Sequence, residues 1–168
     1  MYALLITRND IIKNSFLKGS IDVDQLITFI RPAQDKYLIN ILGTVLFNKM
    51  MELVANGIEL TEPYSTLLGH IKRCLIWYVV AEYVPFSSIQ FKSEGAYSVN
   101  NEQFTSATRN DLDYLMMKAL DNAEVYNRRL QDYLCANSSV IPEYNDTTGK
   151  SDNIYPDKSN QYFSGINL

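Results

Sequence analysis

Apolar positions recur at helical spacing through most of the first 137 residues. Thr7 followed by Asp10 has the form of a capping box, with Ile11, Ile12 and Phe16 as the apolar face behind it and Gly19 ending the segment. Asp22 and Gln25 repeat that start signal. Leu26, Ile30, Ala33, Tyr37 and Ile41 then hold a 3.6-residue stripe. Pro32 lies inside the stripe, removes one backbone donor and predicts a kink or split there. Gly43 suits the position just past a helix end. Thr44 can cap a third helix whose stripe is Val45, Leu46, Met50, Leu53 and Val54, and Asn56-Gly57 stops it near Ala55.

Thr61-Glu62-Pro63 reads as a fourth start, with proline tolerated in the first turn. This helix turns apolar on all sides over residues 74–81, the mark of a central, buried element, and Pro85 closes it. Ile89 to Lys92 and Ala96 to Val99 flank a turn at Ser93-Glu94-Gly95, which predicts a short β-hairpin near 89–99. The fifth helix keeps Leu112, Leu115, Met116, Ala119, Ala123, Tyr126, Leu130 and Tyr133 on one side over about six turns. Lys118, Asp121, Arg128 and Asp132 fall on its other faces, and Asp111 and Asp113 favour the dipole at its start. The expected fold is mainly α: a helical bundle of about five helices with a short β-hairpin and an extended C-terminal tail. Its parts are a helical domain over 1–137 and an arm over 138–168.

Composition sets limits on function. The chain has 168 residues, 46% apolar, with a net charge of -4. Binding a phosphate backbone calls for clustered Lys and Arg, and no basic stripe occurs, so specific nucleic-acid binding is not expected. The longest unbroken apolar run, residues 74–81, falls far short of the roughly 20 residues of a membrane span, and no membrane partner is expected. The first residues lack the basic start of a signal peptide. Cys74 and Cys135 make no disulfide framework and read as buried small hydrophobes in a reducing cytoplasm.

Candidate chemistry is sparse. His70 is the one histidine, and with Cys74 four residues on it shares a helix face. Two ligands do not make a structural zinc site, and no phosphate-binding loop, dinucleotide fingerprint or zinc-protease motif occurs. No catalytic residue, cofactor or metal is expected. Glu82, at the end of the buried run, needs a partner such as an arginine or water. Trp77 and Tyr78 read as core.

The order of these elements resembles a known group. Leu5-Ile6-Thr7-Arg8-Asn9-Asp10-Ile11, Ile27-Thr28-Phe29-Ile30-Arg31-Pro32-Ala33-Gln34-Asp35 and Ile41-Leu42-Gly43-Thr44-Val45-Leu46-Phe47 resemble the start of head-to-tail connector (adaptor) proteins of tailed bacteriophages. The neck ring proteins of crAss-like phages are the most similar of these. The long apolar helix, the hairpin around Gly95, Tyr126-Asn127-Arg128-Arg129-Leu130 and Ile141-Pro142-Glu143-Tyr144 fit the same pattern, which runs to about residue 145. The resemblance implies a structural virion protein that does no chemistry. It would form a homo-oligomeric ring, typically a dodecamer, between portal and tail, continue the DNA channel and dock the next neck or tail component. DNA would pass without specific binding, and repetition of an acidic subunit around a ring would build a field that discourages sticking. Before assembly the chain would reside in the host cytoplasm.

Two segments are poorly explained within one monomer. An isolated hairpin is marginal in water and can add to a neighbour's sheet edge, with Phe91 and Tyr97 as anchors. The tail beyond residue 137 is poor in aliphatics but carries Tyr144, Tyr155, Tyr162 and Phe163, aromatics suited to filling a partner's pockets. The alternative for the tail is that it wraps over its own domain. The alternatives for the whole chain are a small helical regulatory or scaffold-type interaction protein, and a helical hydrolase using His70 with a carboxylate.

Overall fold

The structure, a computed structural model, describes the backbone of residues 3–17, 23–87, 89–92, 95–98, 108–146 and 152–158, and the side chains of the same residues apart from 23–25 and 89–98. The protein is mainly helical. Helix α1 (Arg8–Asn14) starts at the expected capping box: the Thr7 hydroxyl accepts from the Asp10 amide, and the Asp10 carboxylate accepts from the Thr7 amide. Ile11 is buried, whereas Phe16 stays exposed beside Trp77. Gly19 and the Asp22–Gln25 start signal lie outside the described residues or side chains.

Helix α2 (Val23–Ala33) carries Pro32 one residue before its end. The chain does not kink apart there; it passes into a single π-helical turn, Gln34–Leu38, and on into α3 (Ile39–Ala55). Proline has no amide to close its own turn and its ring crowds the carbonyl one turn before it; the wider π-helical turn begins two residues after it. Gln34, fully buried at this point, uses its amide to tie down the N-terminal segment: Oε1 accepts from the Leu5 amide at 2.8 Å and Nε2 donates to the Ala3 carbonyl at 3.1 Å.

Gly43 interrupts α3 with φ 75° and ψ 158°, a conformation open essentially to glycine alone. In an unbroken helix the Thr44 amide would bond the Asn40 carbonyl. Here the two groups part and the C-terminal arm fills both vacancies. The Ile154 carbonyl accepts from the Thr44 amide and the Asp157 amide donates to the Asn40 carbonyl, each at 2.8 Å. The Thr44 hydroxyl, expected to cap a helix, instead accepts from the Ile154 amide at 2.9 Å. Thus residues 152–158 lie on the chain's own α3. Asn56 and Gly57 end that helix as expected, with Gly57 at φ 62°.

Helix α4 (Tyr64–Tyr83) is the centre of the fold. It buries Leu67, Ile71 and nearly everything from Cys74 to Tyr83, and its main neighbour is α5 (Arg109–Ala136). Each aliphatic side chain so buried contributes about 1.5–3 kcal/mol. Ala119 and Ala123 keep the two helices close enough for the Cys74 Sγ to sit 3.8 Å from the Ala123 carbonyl. Thr108 and Asp111 form a second capping box at the start of α5. Between α4 and α5 the backbone of β1 (Ile89–Lys92) pairs antiparallel with β2 (Gly95–Ser98).

Two expectations are revised. The core does not stop at residue 137: Ile141 and Tyr144 are fully buried in it, and Tyr64 donates to Glu143 Oε2 at 2.8 Å. And the stretch Leu26–Ala55 is, by length and mean hydropathy, apolar enough to cross a membrane. Counting unbroken apolar runs missed this because Asn, Lys and Gln interleave. Core helices pass the same test, and Leu26, Ile30, Leu38, Leu42, Leu46 and Met50 turn inward in this one.

Candidate functional site

The six aromatic residues expected to meet partners are not alike. Tyr144 is 1% exposed and fills the chain's own core, so its ring is already engaged. Tyr155 is 50% exposed beside the Gly43 latch. Phe91 and Tyr97 sit on β1 and β2, where only the backbone is described, and Tyr162 and Phe163 lie outside the described residues.

His70 and Cys74 both face α5 but do not converge on a carboxylate. The His70 ring stacks on Tyr133, with centroids 4.9 Å apart. Burial, then Arg73 and Arg129, hold its pKa below the usual imidazole value, so it is neutral at pH 7. Burial pushes the Cys74 thiol up, with Glu124 adding to the shift, and a protonated thiol is a poor nucleophile. Among the described residues no group of three or more His, Cys, Asp or Glu is gathered as a metal site would require.

A network of polar side chains lies elsewhere, between the π-helical turn, α4 and α5. The turn places Tyr37 flat on Tyr78, with centroids 3.9 Å apart and planes 8° from parallel. It also places Lys36 Nζ and the Tyr37 hydroxyl each 2.6 Å from Glu82 Oε1. Burial alone would raise the Glu82 pKa; the bonds from Lys36 and Tyr37 outweigh it and hold the carboxyl below its ordinary value. This is the partner that Glu82 needed, and it comes from the turn that follows Pro32. On the other side Tyr78 donates to Glu124 Oε1 at 2.9 Å. Burial first, then Cys74 and Glu124, push the Tyr78 phenol up, and burial and Glu82 do the same for Tyr37. Both phenols therefore remain hydrogen-bond donors and are poor proton acceptors.

Lys36, Tyr37, Tyr78 and Glu124 border a cleft of about 260 Å³, closed on one side by the arm: Gln131 Nε2 donates to the Asp157 carbonyl at 3.4 Å. Asn127 and Gln131, each only 8% exposed, line it. Asn127 is under-satisfied. Its Nδ2 reaches Glu124 Oε2 only at 3.5 Å, and its buried Oδ1 has no partner among the described residues. A buried acceptor left unmade costs about 1–3 kcal/mol. Sequence reading missed this region, since polar residues at these positions of α5 look like a solvated face. The faint signal was that Asn127 and Gln131 stand one turn apart and flank Leu130 on the apolar side.

A second surface exposes large apolar side chains. Tyr114 and Met117, each 61% exposed, and Val125, 48% exposed, lie along one outer side of α5. The eleven-residue step from Tyr114 to Val125 is close to three turns and spans about 16 Å, so the three form a stripe, which the Lys118–Asp121 ion pair interrupts, with Lys118 Nζ 5.7 Å from the centre of the Tyr114 ring.

No curated protein and no solved structure matches the chain. The model of one family does match, over residues 38–154, from the last residue of the π-helical turn to the arm at the Gly43 latch. Because that match covers most of the chain, the protein belongs to the family of unknown function DUF6712.

Proposed function

We propose that this protein is a structural subunit of the neck of a tailed bacteriophage, a head-to-tail connector and not an enzyme. In this reading it assembles as a ring, typically a dodecamer, on the portal protein. The ring continues the DNA channel and presents a docking surface for the next neck or tail component. The observation that carries the reading is the exposure of Tyr114, Met117 and Val125 along one side of the longest helix, around the Lys118–Asp121 ion pair. Exposed apolar surface of this kind marks association sites. Two further features support it. The phrases that resemble connector proteins fall at structurally committed points, namely the α1 cap and the Gly43 break. The paired strands β1 and β2 have no third strand among the described residues and can extend a neighbour's sheet, which is the role of Phe91 and Tyr97 here. Tyr155, Tyr162 and Phe163 serve the same contacts from the arm. The net charge of -4 suits a channel through which DNA slides unbound.

Electron microscopy of the purified chain mixed with the portal protein of its phage tests this. A closed ring seated coaxially on the portal is expected. A chain that stays monomeric at every concentration and does not bind portal overturns the proposal.

A further inference from the structure

The arm meets α3 through backbone groups. The Ile154 carbonyl accepts from the Thr44 amide, the Ile154 amide donates to the Thr44 hydroxyl, and the Asp157 amide donates to the Asn40 carbonyl. From α5, Gln131 Nε2 donates to the Asp157 carbonyl. Pro156 stands between these contacts and packs against Gly43, where the missing Cβ makes room for its ring. We propose that the break in α3 at Gly43 is a docking site for residues 152–158 of a second copy of this chain. The inference rests on the ring reading for the closeness of the copies, and on nothing else in it.

The site is open to solvent. Ile154 and Tyr155 are 46% and 50% exposed, and the bond from the Ile154 amide to Thr44 lies at the surface. An arm therefore enters or leaves without opening the core, whose last buried member is Tyr144. The site is also selective. It fits an extended segment with a proline between two sets of backbone contacts, and the residue before a proline already favours the extended form. A Cβ at position 43 would stand 2.7 Å from the proline ring, so the glycine and the proline are matched. Every copy carries that segment, and a neighbour's arm makes the same contacts as the chain's own. With equal contacts, the choice of arm is set by local concentration, and a ring holds neighbouring arms close to each break. Exchange of an identical element between copies is a low-cost route to association. A segment of any other protein would have to reproduce the proline and its spacing; a second copy has both by identity.

The test mixes two full-length variants without portal. Ile154→Pro combined with Asp157→Pro, labelled for resonance measurements, removes both amides that the arm donates and leaves the site intact. Unlabelled Thr44→Pro keeps its arm but loses the amide and hydroxyl that Ile154 meets. Proline is tolerated where a helical segment starts, and Gly43→Ala is the second donor should Thr44→Pro fail to fold. Amide resonances of α4 and α5 verify the fold of each chain. The labelled chain alone should lose exchange protection at the Thr44 amide. Adding donor should restore that protection, and the parent's Thr44 resonance, saturably and by at least half at about 1 mM, the local concentration that a short tether supplies. No recovery at that concentration, or equal recovery with a donor carrying Thr44→Pro and both arm substitutions, overturns the inference. With portal absent, either result leaves the neck reading to its own test by electron microscopy.

Discussion

At the scale of single residues, the sharpest constraint falls on Gly43. A Cβ built there would stand 2.7 Å from Pro156 Cδ and 2.9 Å from its Cγ, inside van der Waals contact with a stiff ring. The backbone conformation is also one that other residues enter only under strain. Gly57 offers a control: its φ is also positive, but a Cβ there meets nothing within 4 Å. Gly57→Ala should cost about 1–2 kcal/mol for the left-handed backbone alone. Gly43→Ala should cost more, since the clash adds to the strain, and it should lift the arm as well. Urea denaturation measures the first effect. Hydrogen exchange at the Thr44 and Asp157 amides measures the second, because both depend on the arm's contacts with α3. If Gly43→Ala left those amides as protected as before, the arm would not be held by this latch. The sequence marked Gly43 as a helix end, which is half of its role. The other half is the approach of Pro156, 113 positions later, and no local pattern carries that.

At the scale of elements, what was legible and what was not divide by range. Capping boxes, the Asn56-Gly57 stop and the apolar α4 are written in neighbouring residues, and they could be read. The π-helical turn could not, because Pro32 announces a disturbance without saying which geometry follows it. That choice decides which side chains face α4, and so decides that Lys36 and Tyr37 meet Glu82. The burial of Asn127 and Gln131 was hidden for the same reason: their neighbours Tyr78 and Asp157 are remote in sequence. The tie between the π-helical turn and α4 has a pH signature. Glu82 is held below its ordinary value of 4.5, so its contribution is present above that pH. It is lost as pH falls through the lower, folded value. Lys36 is well exposed, so at neutral pH the ion pair contributes no more than about 1 kcal/mol. Glu82→Gln keeps an acceptor for Tyr37 but removes the charge. Its stability should sit below the parent's by up to that amount at neutral pH, and the two should converge as the medium is acidified below 4.5. Asp10, whose Thr7 and Lys72 contacts outweigh its burial, titrates in the same range. It does so in both proteins and cancels in the difference. A gap that stayed constant with pH would mean that Glu82 acts through packing alone.

At the scale of the whole molecule, the core and the outer face of α5 answer to different demands. Residues such as Leu75, Val79, Leu130 and Tyr144 are committed inward, and folding accounts for them. Tyr114, Met117 and Val125 point away from that core, and folding does not account for their placement. Helix propensity would be served as well by charged or polar residues there. This separation makes the assembly proposal testable without disturbing the fold. Tyr114→Ser combined with Met117→Lys touches only exposed positions, where substitutions usually change stability by no more than about 0.5 kcal/mol. The capping box at Thr108 and Asp111 still secures the start of the helix. If α5 is a contact face between ring subunits or against the portal, the double variant should unfold at nearly the parent's urea midpoint yet fail to form rings. Placing a cation in a contact that apolar side chains make adds a desolvation cost when the contact closes. A variant that assembles as well as the parent would move the interface away from α5, toward the paired strands or the arm. A variant that loses assembly and stability together would show that the stripe belongs to the fold after all. The ratio of the two losses, read on one preparation by sedimentation and denaturation, therefore decides whether the stripe is an interface or part of the fold.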